Sequence, residues 1–236
     1  MKIVPVILCK NEEVWIKPVL WNLARVFDHI IVSDTGSTDS TVEIINGLID
    51  SGLPIVLNTY PGVQPADLGQ CRQSMQEQAK DLFDATHIFL VDGDELYPTK
   101  YLKFIRDFPM PENSLSGFTW GKEIRQLPNG ELWYLQIDGE DVGLNRQAII
   151  SVDSKWSGHY PFESPDTYVP GDPTNYYWKS PDPTYHFFHL HQTVRSTRDA
   201  DVYIRVQKQN QFGMRDNLNV TPARLWINSP KEYVDE

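Results

Sequence analysis

The chain has 236 residues, and its 40% hydrophobic content is enough for one sizeable core, which excludes a disordered segment. It carries 32 acidic and 21 basic residues, a net charge of −11, which argues against binding nucleic acid through the phosphates. No apolar stretch approaches the roughly 18 residues of a transmembrane helix, so we expect a cytoplasmic protein without a transmembrane segment.

Strand and helix patterns alternate through the first hundred residues. Residues 2–9 form a continuous apolar run, which is typical of a strand that is covered on both faces. Residues 12–27 have apolar side chains at helical spacing, and Pro18 predicts a late start or a kink. The same alternation predicts strands at 29–33, 53–57 and 87–91 and helices at 41–49 and 66–83.

Polar residues follow three of these strands, at 10–13, 34–39 and 92–95. Strands that are separated by helices of this length predict right-handed crossovers and an α/β fold, with a mostly parallel sheet flanked by helices. Such sheets bind ligands beyond the carboxyl ends of their strands. We therefore expect the three polar segments to meet in one ligand-binding crevice.

The sequence changes character after residue 115. Residues 118–127 and 132–137 flank a Pro-Asn-Gly turn, which predicts a β-hairpin, and residues 142–152 resemble a further strand. Residues 156–185 predict long loops, and helix is expected within 193–210. Because the chain has no repeat and no linker, we predict a single domain over 1–236, with halves at 1–115 and 116–236.

Asp92-Gly93-Asp94 follows the predicted strand at 87–91 and is the sharpest candidate for chemistry. Two carboxylates that are separated by one small residue can both turn towards one hard cation. Mg²⁺ and Mn²⁺ are commonly shared between a carboxylate and substrate phosphates. The alternative is an ordinary acidic turn, but the position directly after a buried strand favours a metal site.

Two further groups are candidates for ligand binding. Asp34 ends the second strand, where its carboxylate can bind a base or ribose; the alternative is a helix cap, a role that Asp39 can also fill. His186, His189 and His191 are closely spaced, and His189 and His191 would share one face of a strand. They can ligate a metal or form a structural zinc site, although no cysteines accompany them.

Three motifs taken together resemble a known family. They are KNEE at 10–13, IIVSDTGSTDST at 30–41 and LVDGDE at 90–95. In this order and spacing they resemble the family 2 glycosyltransferases of the GT-A fold. The resemblance implies a Rossmann-like GT-A domain, with a nucleotide-sugar-binding half at 1–115 and a loop- and hairpin-rich acceptor-side half at 116–236.

The resemblance implies a metal-dependent, inverting transfer of a sugar from a nucleoside-diphosphate sugar, expected to be UDP-linked, to the hydroxyl of a carbohydrate or other acceptor. In that family, the exit of the first strand, here Asn11 and Glu12, and the aspartate at Asp34 bind the nucleoside. Asp92 would lie near the ribose and the metal. Asp94 would ligate the Mn²⁺ or Mg²⁺ ion.

Residues further along the chain are implied to complete this site. The GQCR segment that ends at Arg72 resembles the family's Gly-x-x-x-Arg helix segment, with one residue fewer, and would bring Arg72 to the nucleotide unless it is a surface arginine. Many GT-A enzymes complete the metal shell with a late histidine, for which His189 and His191 are candidates. Arg198 and Arg205 would share one helix face, where they can neutralise the departing diphosphate or simply face solvent.

An inverting transfer also needs a general base to deprotonate the acceptor hydroxyl. Residues 156–164 resemble a segment in which some family members carry a His-Glu pair, and this makes Glu163 a candidate base. Phe162 stands in the place of the histidine, so Asp141 and Glu140 are competing candidates. A structural salt bridge is the alternative for all three carboxylates.

Two other classes of function stay open. A nucleotidyltransferase or a nucleotide-sugar hydrolase would use the same scaffold. Nucleotidyltransferases normally carry a Gly-rich basic loop after the first strand, however, and residues 9–13 contain no glycine. A non-catalytic carbohydrate-binding relative is the third class, and the presence of Asp34, Asp92 and Asp94 argues against it.

Overall fold

The structure is a computed structural model. It describes residues 2–64, 67–107, 116–126, 132–137, 140–141, 143–157, 164–165, 186–192 and 220–222. The helix expected within 193–210 and most of the loops expected within 156–185 lie outside the described residues. None of the helices in the described ranges is long and apolar enough to cross a membrane.

The first half of the chain forms parallel strands that are joined by helices. Its elements are β1 (Ile3–Cys9), α1 (Ile16–Ala24), β2 (Ile30–Asp34), α2 (Thr41–Asp50), β3 (Ile55–Thr59), α3 (Leu68–Phe83) and β4 (His87–Asp92). The strands lie in the order β3, β2, β1, β4, and all of their pairings are parallel. This arrangement confirms the predicted α/β class, with a mostly parallel central sheet flanked by helices.

The remainder of the chain extends the same sheet mainly with antiparallel strands. Its elements are β5 (Glu95–Leu96), α4 (Thr99–Asp107), β6 (Ser116–Gln126), β7 (Leu132–Ile137), β8 (Glu140–Asp141), β9 (Gly143–Ser151), β10 (Trp156–Ser157), β11 (Ser164–Pro165), β12 (Phe187–Gln192) and β13 (Val220–Pro222). Beyond β4 the order is β9, β6, β7, β13, and β12 pairs with both β5 and β6. The pairing of β12 with β6 is parallel, and β10 and β11 form a separate two-stranded sheet. The predicted hairpin is confirmed, because β6 and β7 pair antiparallel.

Helix α1 begins at Ile16, later than the predicted residue 12. The backbone N–H groups of Trp15 and Ile16 both donate to the carbonyl of Glu12, so the chain turns before the helix starts. Pro18 then lies in the first helical turn, where a missing N–H costs no intrahelical hydrogen bond.

Several elements lie outside the predictions, among them α4, β5, and the strands β10 and β11 within the predicted loops. Helix α4 buries Tyr101, Leu102 and Ile105 in the core, at the spacing of one helix face. Strand β5 has only two residues and exists because β12 pairs with it. A two-residue strand leaves no periodic signal in the sequence, so its pairing partner alone reveals it.

Alternate residues of β1 enter the two hydrophobic clusters of the core. Ile3 and Ile7 pack in a cluster with residues of α1, α2 and α4, whereas Val4 and Val6 pack with Met75 of α3. Helices therefore cover both faces of the central strands. This burial explains why residues 3–9, which form β1, are a continuous apolar run, whereas Lys2 at the start of the predicted strand is exposed.

A close contact between β6 and β12 restrains the position of β12. Phe187 is fully buried, pairs in register with Gly121, and stacks on Tyr97 at a centroid distance of 4.9 Å. A Cβ built on Gly121 would lie 2.6 and 2.7 Å from two ring atoms of Phe187. Tyr97 in turn makes an edge contact with Phe89 at 5.1 Å, so the Phe187 ring has no room to move aside.

We predict that Gly121→Ala lowers the free energy of unfolding by about 1–3 kcal/mol, because the added methyl group overpacks the Phe187 ring. Gly47→Ala is the matched control, since nothing lies within 4 Å of a Cβ built on this glycine of α2. That substitution should raise stability by up to about 1 kcal/mol. Chemical denaturation measures both effects, and equal stability of Gly121→Ala and the unmodified protein would contradict the packing argument.

Candidate active site

The ends of β1, β2 and β4 meet at one edge of the sheet. Their register pairs Cys9 with Asp34 and Leu8 with Asp92, so the last residues of the three strands are neighbours. Asp34 is 3% exposed, and Asp92 is half-buried. The three polar segments that follow these strands therefore converge, as predicted.

The carboxylate of Asp34 holds the turn that follows β2. Its Oδ1 accepts hydrogen bonds from the backbone N–H groups of Gly36 and Ser37, both at 3.0 Å, and its Oδ2 accepts one from the Ser37 hydroxyl. Gly36 has a φ of +100°, a conformation that glycine adopts without strain. Asp34 thus shapes the loop itself, and a carboxylate with about four acceptor positions retains capacity for a further donor.

Asn11 fastens the exit of β1 to this loop. Its backbone N–H donates to the Ser37 hydroxyl at 2.8 Å, and its side-chain Oδ1 accepts from the Thr38 N–H at 2.8 Å. Its φ of 57° lies in the left-handed region, which asparagine enters more readily than most residues. The side chain that was predicted to meet the nucleotide therefore also joins two loops of the site.

Glu12 lies against the turn at 92–94. It is 7% exposed, and its N–H donates to the Thr41 hydroxyl at 2.8 Å. A Cβ built on Gly93 would lie 2.8 Å from Cγ of Glu12 and 3.4 Å from Cβ of Cys9. A larger residue between the two aspartates would have to displace the Glu12 side chain, so Glu12 supports the turn, and its contact with a nucleotide stays a prediction.

The two cysteines have the character of core residues. Burial raises the pKa of the Cys9 thiol well above its ordinary value, and the neighbouring carboxylates of Asp34 and Glu12 raise it further. Burial also raises the pKa of Cys71. Both thiols stay protonated at neutral pH, so neither is suited to nucleophilic chemistry.

The second aspartate of the 92–94 turn lies close to a late histidine. Nε2 of His189 is 3.7 Å from Oδ2 of Asp94, and the two side chains are 16% and 4% exposed. This approach depends on strand pairing, because β12 runs antiparallel to β5 with His189 opposite Glu95. The Leu190 N–H extends the pairing by donating to the Asp94 carbonyl at 2.9 Å.

The side chains of Asp94 and His189 are of the types that bind a divalent metal ion. Their 3.7 Å separation is too long for a direct hydrogen bond. Carboxylates suit Mg²⁺ and Mn²⁺, and neutral imidazole is the commonest metal-binding side chain. Such ions are typically held by one or two protein groups together with substrate phosphates. Among the described residues, no group of three or more His, Cys, Asp or Glu side chains could hold an ion alone.

His191 belongs to β12, but its side chain lies outside the described residues. The prediction that it shares a face with His189 depends on strict alternation along the strand. The pairing of β12 with β6 shifts register between His189 and Gln192, which interrupts that alternation.

Arg72 lies near the start of α3, at the end of the helix that faces this edge of the sheet. Its guanidinium carbon is 5.5 Å from the centroid of the Trp156 ring, within the range of a cation–π contact. The indole N–H of Trp156 donates to Oε1 of Gln76 at 3.1 Å, and Nε2 of Gln76 donates to the Val152 carbonyl at 3.0 Å. Arg72 and Gln76 therefore anchor Trp156 on α3, and contact of Arg72 with a nucleotide stays a prediction.

The predicted bases and late arginines are described only in part. Glu163, Arg198 and Arg205 lie outside the described residues. The backbone of Asp141 pairs with Gln136 in β7, although its side chain is not described. Strand β9 follows Asp141 and runs antiparallel to β4, so it begins beyond the end of β4. The backbone of Asp141 therefore lies towards the same edge of the sheet as the 92–94 turn.

Glu95 is absent from the predicted site residues, although it contacts the site directly. It is 1% exposed, and its Oε2 accepts hydrogen bonds from the Asp92 N–H at 3.1 Å and the Tyr97 hydroxyl at 3.2 Å. The sequence contains one indication of this role. Glu95 lies between the aspartate pair and the apolar residues Leu96 and Tyr97, and this context favours a buried position over an exposed turn.

Comparison with known proteins shows what the first half of the chain is similar to. Residues 6–103 match the model of glycosyl transferase family 2. A 72-residue stretch is 36% identical to the lipopolysaccharide core biosynthesis glycosyltransferase LpsC of Rhizobium meliloti. That match covers 28% of this chain and 26% of LpsC, so the chain spans about a quarter of the relative's length.

Two solved glycosyltransferase structures have weaker likeness to this chain. S. aureus TarS is 23% identical over 54% of this chain and 23% of that chain, with a TM-score of 0.44. Glucosyl-3-phosphoglycerate synthase from Mycobacterium tuberculosis, in complex with Mg²⁺ and UDP, is 20% identical over 52% and 43% of the two chains, with a TM-score of 0.36. The family model confirms the resemblance that the three motifs predict, through its match to glycosyl transferase family 2 over residues 6–103.

Proposed function

We propose that the chain is a metal-dependent, inverting glycosyltransferase that moves a sugar from a nucleoside-diphosphate sugar to an acceptor hydroxyl. The observation that carries the proposal is the 3.7 Å approach of His189 to Asp94, at the edge where three parallel strands end. The family match over 6–103 supports sugar transfer as the reaction class. The proposed donor is UDP-linked, and the proposed acceptor is a carbohydrate or another hydroxyl compound.

Asp94 and His189 would hold the Mn²⁺ or Mg²⁺ ion, with Asp92 on the side of the ribose. The bound ion supplies positive charge that stabilises the diphosphate leaving group. Asp34 and Asn11 keep the loops after β2 and β1 joined, which supports a role as the wall against which the nucleoside binds. Asp34 can accept one more hydrogen bond from that nucleoside.

Glu163 and Asp141 are the two proposed bases, and either would take the proton of the acceptor hydroxyl as its oxygen attacks the anomeric carbon. Glu163 directly precedes β11, which pairs with β10. The first residue of β10, Trp156, forms a hydrogen bond with Gln76 of α3. Glu163 is supported by its place in the segment 156–164, which resembles the base segment of some family members. Asp141 is supported by the start of β9 beyond the end of β4.

The proposed role of Arg72, Arg198 and Arg205 is to neutralise the diphosphate together with the ion. A chain with a net charge of −11 needs concentrated positive charge at the place where a diphosphate departs. The start of α3 at the carboxyl edge of the sheet supports this role for Arg72.

We also retain the proposal of a single domain over 1–236. One sheet contains strands from β1 at Ile3 to β13 at Pro222, which supports continuous folding of the two halves.

The direct experiment incubates the purified protein with Mn²⁺ and a panel of nucleotide sugars and identifies the products. A thermal-shift screen of the same panel first selects the donors that bind. Transfer of the sugar with release of nucleoside diphosphate is the expected result. Release of nucleoside monophosphate and pyrophosphate would point to a nucleotidyltransferase, free sugar to a hydrolase, and binding without turnover to a carbohydrate-binding protein.

We predict that Asp94→Asn and His189→Ala each weaken Mn²⁺ binding in the presence of UDP by more than about 100-fold, because each removes a proposed ligand. Asp153→Asn is the matched control for charge, since this exposed aspartate pairs with Lys80 on the surface. Calorimetric titration with Mn²⁺ measures the change. Wild-type affinity in both site variants would refute the metal assignment.

We predict that Glu163→Gln lowers kcat for transfer by about 100- to 10,000-fold, because the amide cannot accept the hydroxyl proton. Binding of UDP and Mn²⁺ should be unchanged, since the base does not contact the leaving group. Asp141→Asn is the parallel variant. If Glu163→Gln retains full activity while Asp141→Asn loses it, the base is Asp141.

A further inference from the structure

Glu95 contacts both segments that carry the proposed metal ligands. Its side chain, 1% exposed, reaches the first segment, because Oε2 accepts from the Asp92 N–H at 3.1 Å. Its main chain reaches the second segment, because Glu95 pairs with His189 between β5 and β12. One residue thus links the 92–94 turn to the strand that carries the late histidine.

The surroundings of Glu95 hold its carboxylate in place. The Tyr97 hydroxyl donates to the same Oε2 at 3.2 Å, and Tyr97 is 1% exposed. The Tyr97 ring lies between Phe89 and Phe187, at centroid distances of 5.1 and 4.9 Å. The packed aromatic rings therefore hold the Tyr97 hydroxyl in place, and this hydroxyl orients Oε2 of Glu95, which binds the backbone N–H of Asp92.

We infer that Glu95 is a positioning residue for the metal site. It acts because its side chain is long enough for Oε2 to accept the hydrogen bond from the Asp92 N–H. This inference rests on the proposed function, because the ion that Asp94 and His189 would hold is the group being positioned. Oε2 already accepts two donors, the Asp92 N–H and the Tyr97 hydroxyl, and it orients the turn through them. Hydrogen bonds that orient metal ligands commonly change metal affinity when they are removed.

Two substitutions distinguish the effect of the length of the Glu95 side chain from the effect of its charge. Glu95→Gln keeps an accepting oxygen at the same distance along the side chain and removes the charge. Glu95→Asp keeps the charge and shortens the side chain by one methylene group. We expect Glu95→Gln to bind Mn²⁺ nearly as well as the unmodified protein, and Glu95→Asp to bind it about 10- to 100-fold more weakly.

The measurement is electron paramagnetic resonance of free Mn²⁺ during titration of the full chain with UDP present, with circular dichroism to verify folding. The inference is overturned if Glu95→Gln loses affinity and Glu95→Asp keeps it, since Glu95 would then act by its charge. It is also overturned if both folded variants bind as the unmodified protein does. Absence of Mn²⁺ binding by the unmodified protein would instead refute the proposed function on which the inference rests.

Tyr97→Phe provides a second variant in case Glu95→Asp does not fold. It removes one of the two donors to Oε2 and leaves the aromatic packing in place. We expect weaker Mn²⁺ binding than in the unmodified protein, and a smaller loss than for Glu95→Asp. Unchanged Mn²⁺ affinity in folded Tyr97→Phe would also contradict the inference.

Discussion

The pairing of β12 with β5 is the contact on which the candidate metal site depends. It joins a strand late in the chain to two residues that follow the D-x-D turn, and it brings His189 to 3.7 Å from Asp94. A two-residue strand such as β5 would hold β12 only weakly. The packing of Phe187 against Gly121 and Tyr97 further restrains the position of β12. Hydrophobic packing and backbone hydrogen bonds therefore set the spacing of two polar side chains.

The same principle applies to the loops at the ends of β1 and β2. Asn11 and Asp34 lie at the ends of strands, where ligands commonly bind. Both also form hydrogen bonds that hold the two loops together. Glu12 adds a steric restraint, because its side chain fills the space that any larger residue at Gly93 would need. A crevice built in this way is organised before a ligand arrives, which lowers the entropic cost of binding.

Trp156 and Asp141 are the described residues that lead to the two proposed bases. Trp156 is anchored on α3 by Arg72 and Gln76. Asp141 precedes β9 on the other side, where β9 starts beyond β4. The two proposed bases, Glu163 and Asp141, belong to different segments of the chain, and this is why one pair of variants can distinguish them.

The sequence by itself determined the alternation of strands and helices, the three polar strand exits, the β6–β7 hairpin and the D-x-D turn. These features are local, because apolar periodicity and turn residues act over a few positions. Tertiary structure alone decided that β5 exists, that His189 meets Asp94, and that Glu12 and Glu95 support the turn. The register between distant strands is selected by packing across the core, and no short stretch of sequence records it.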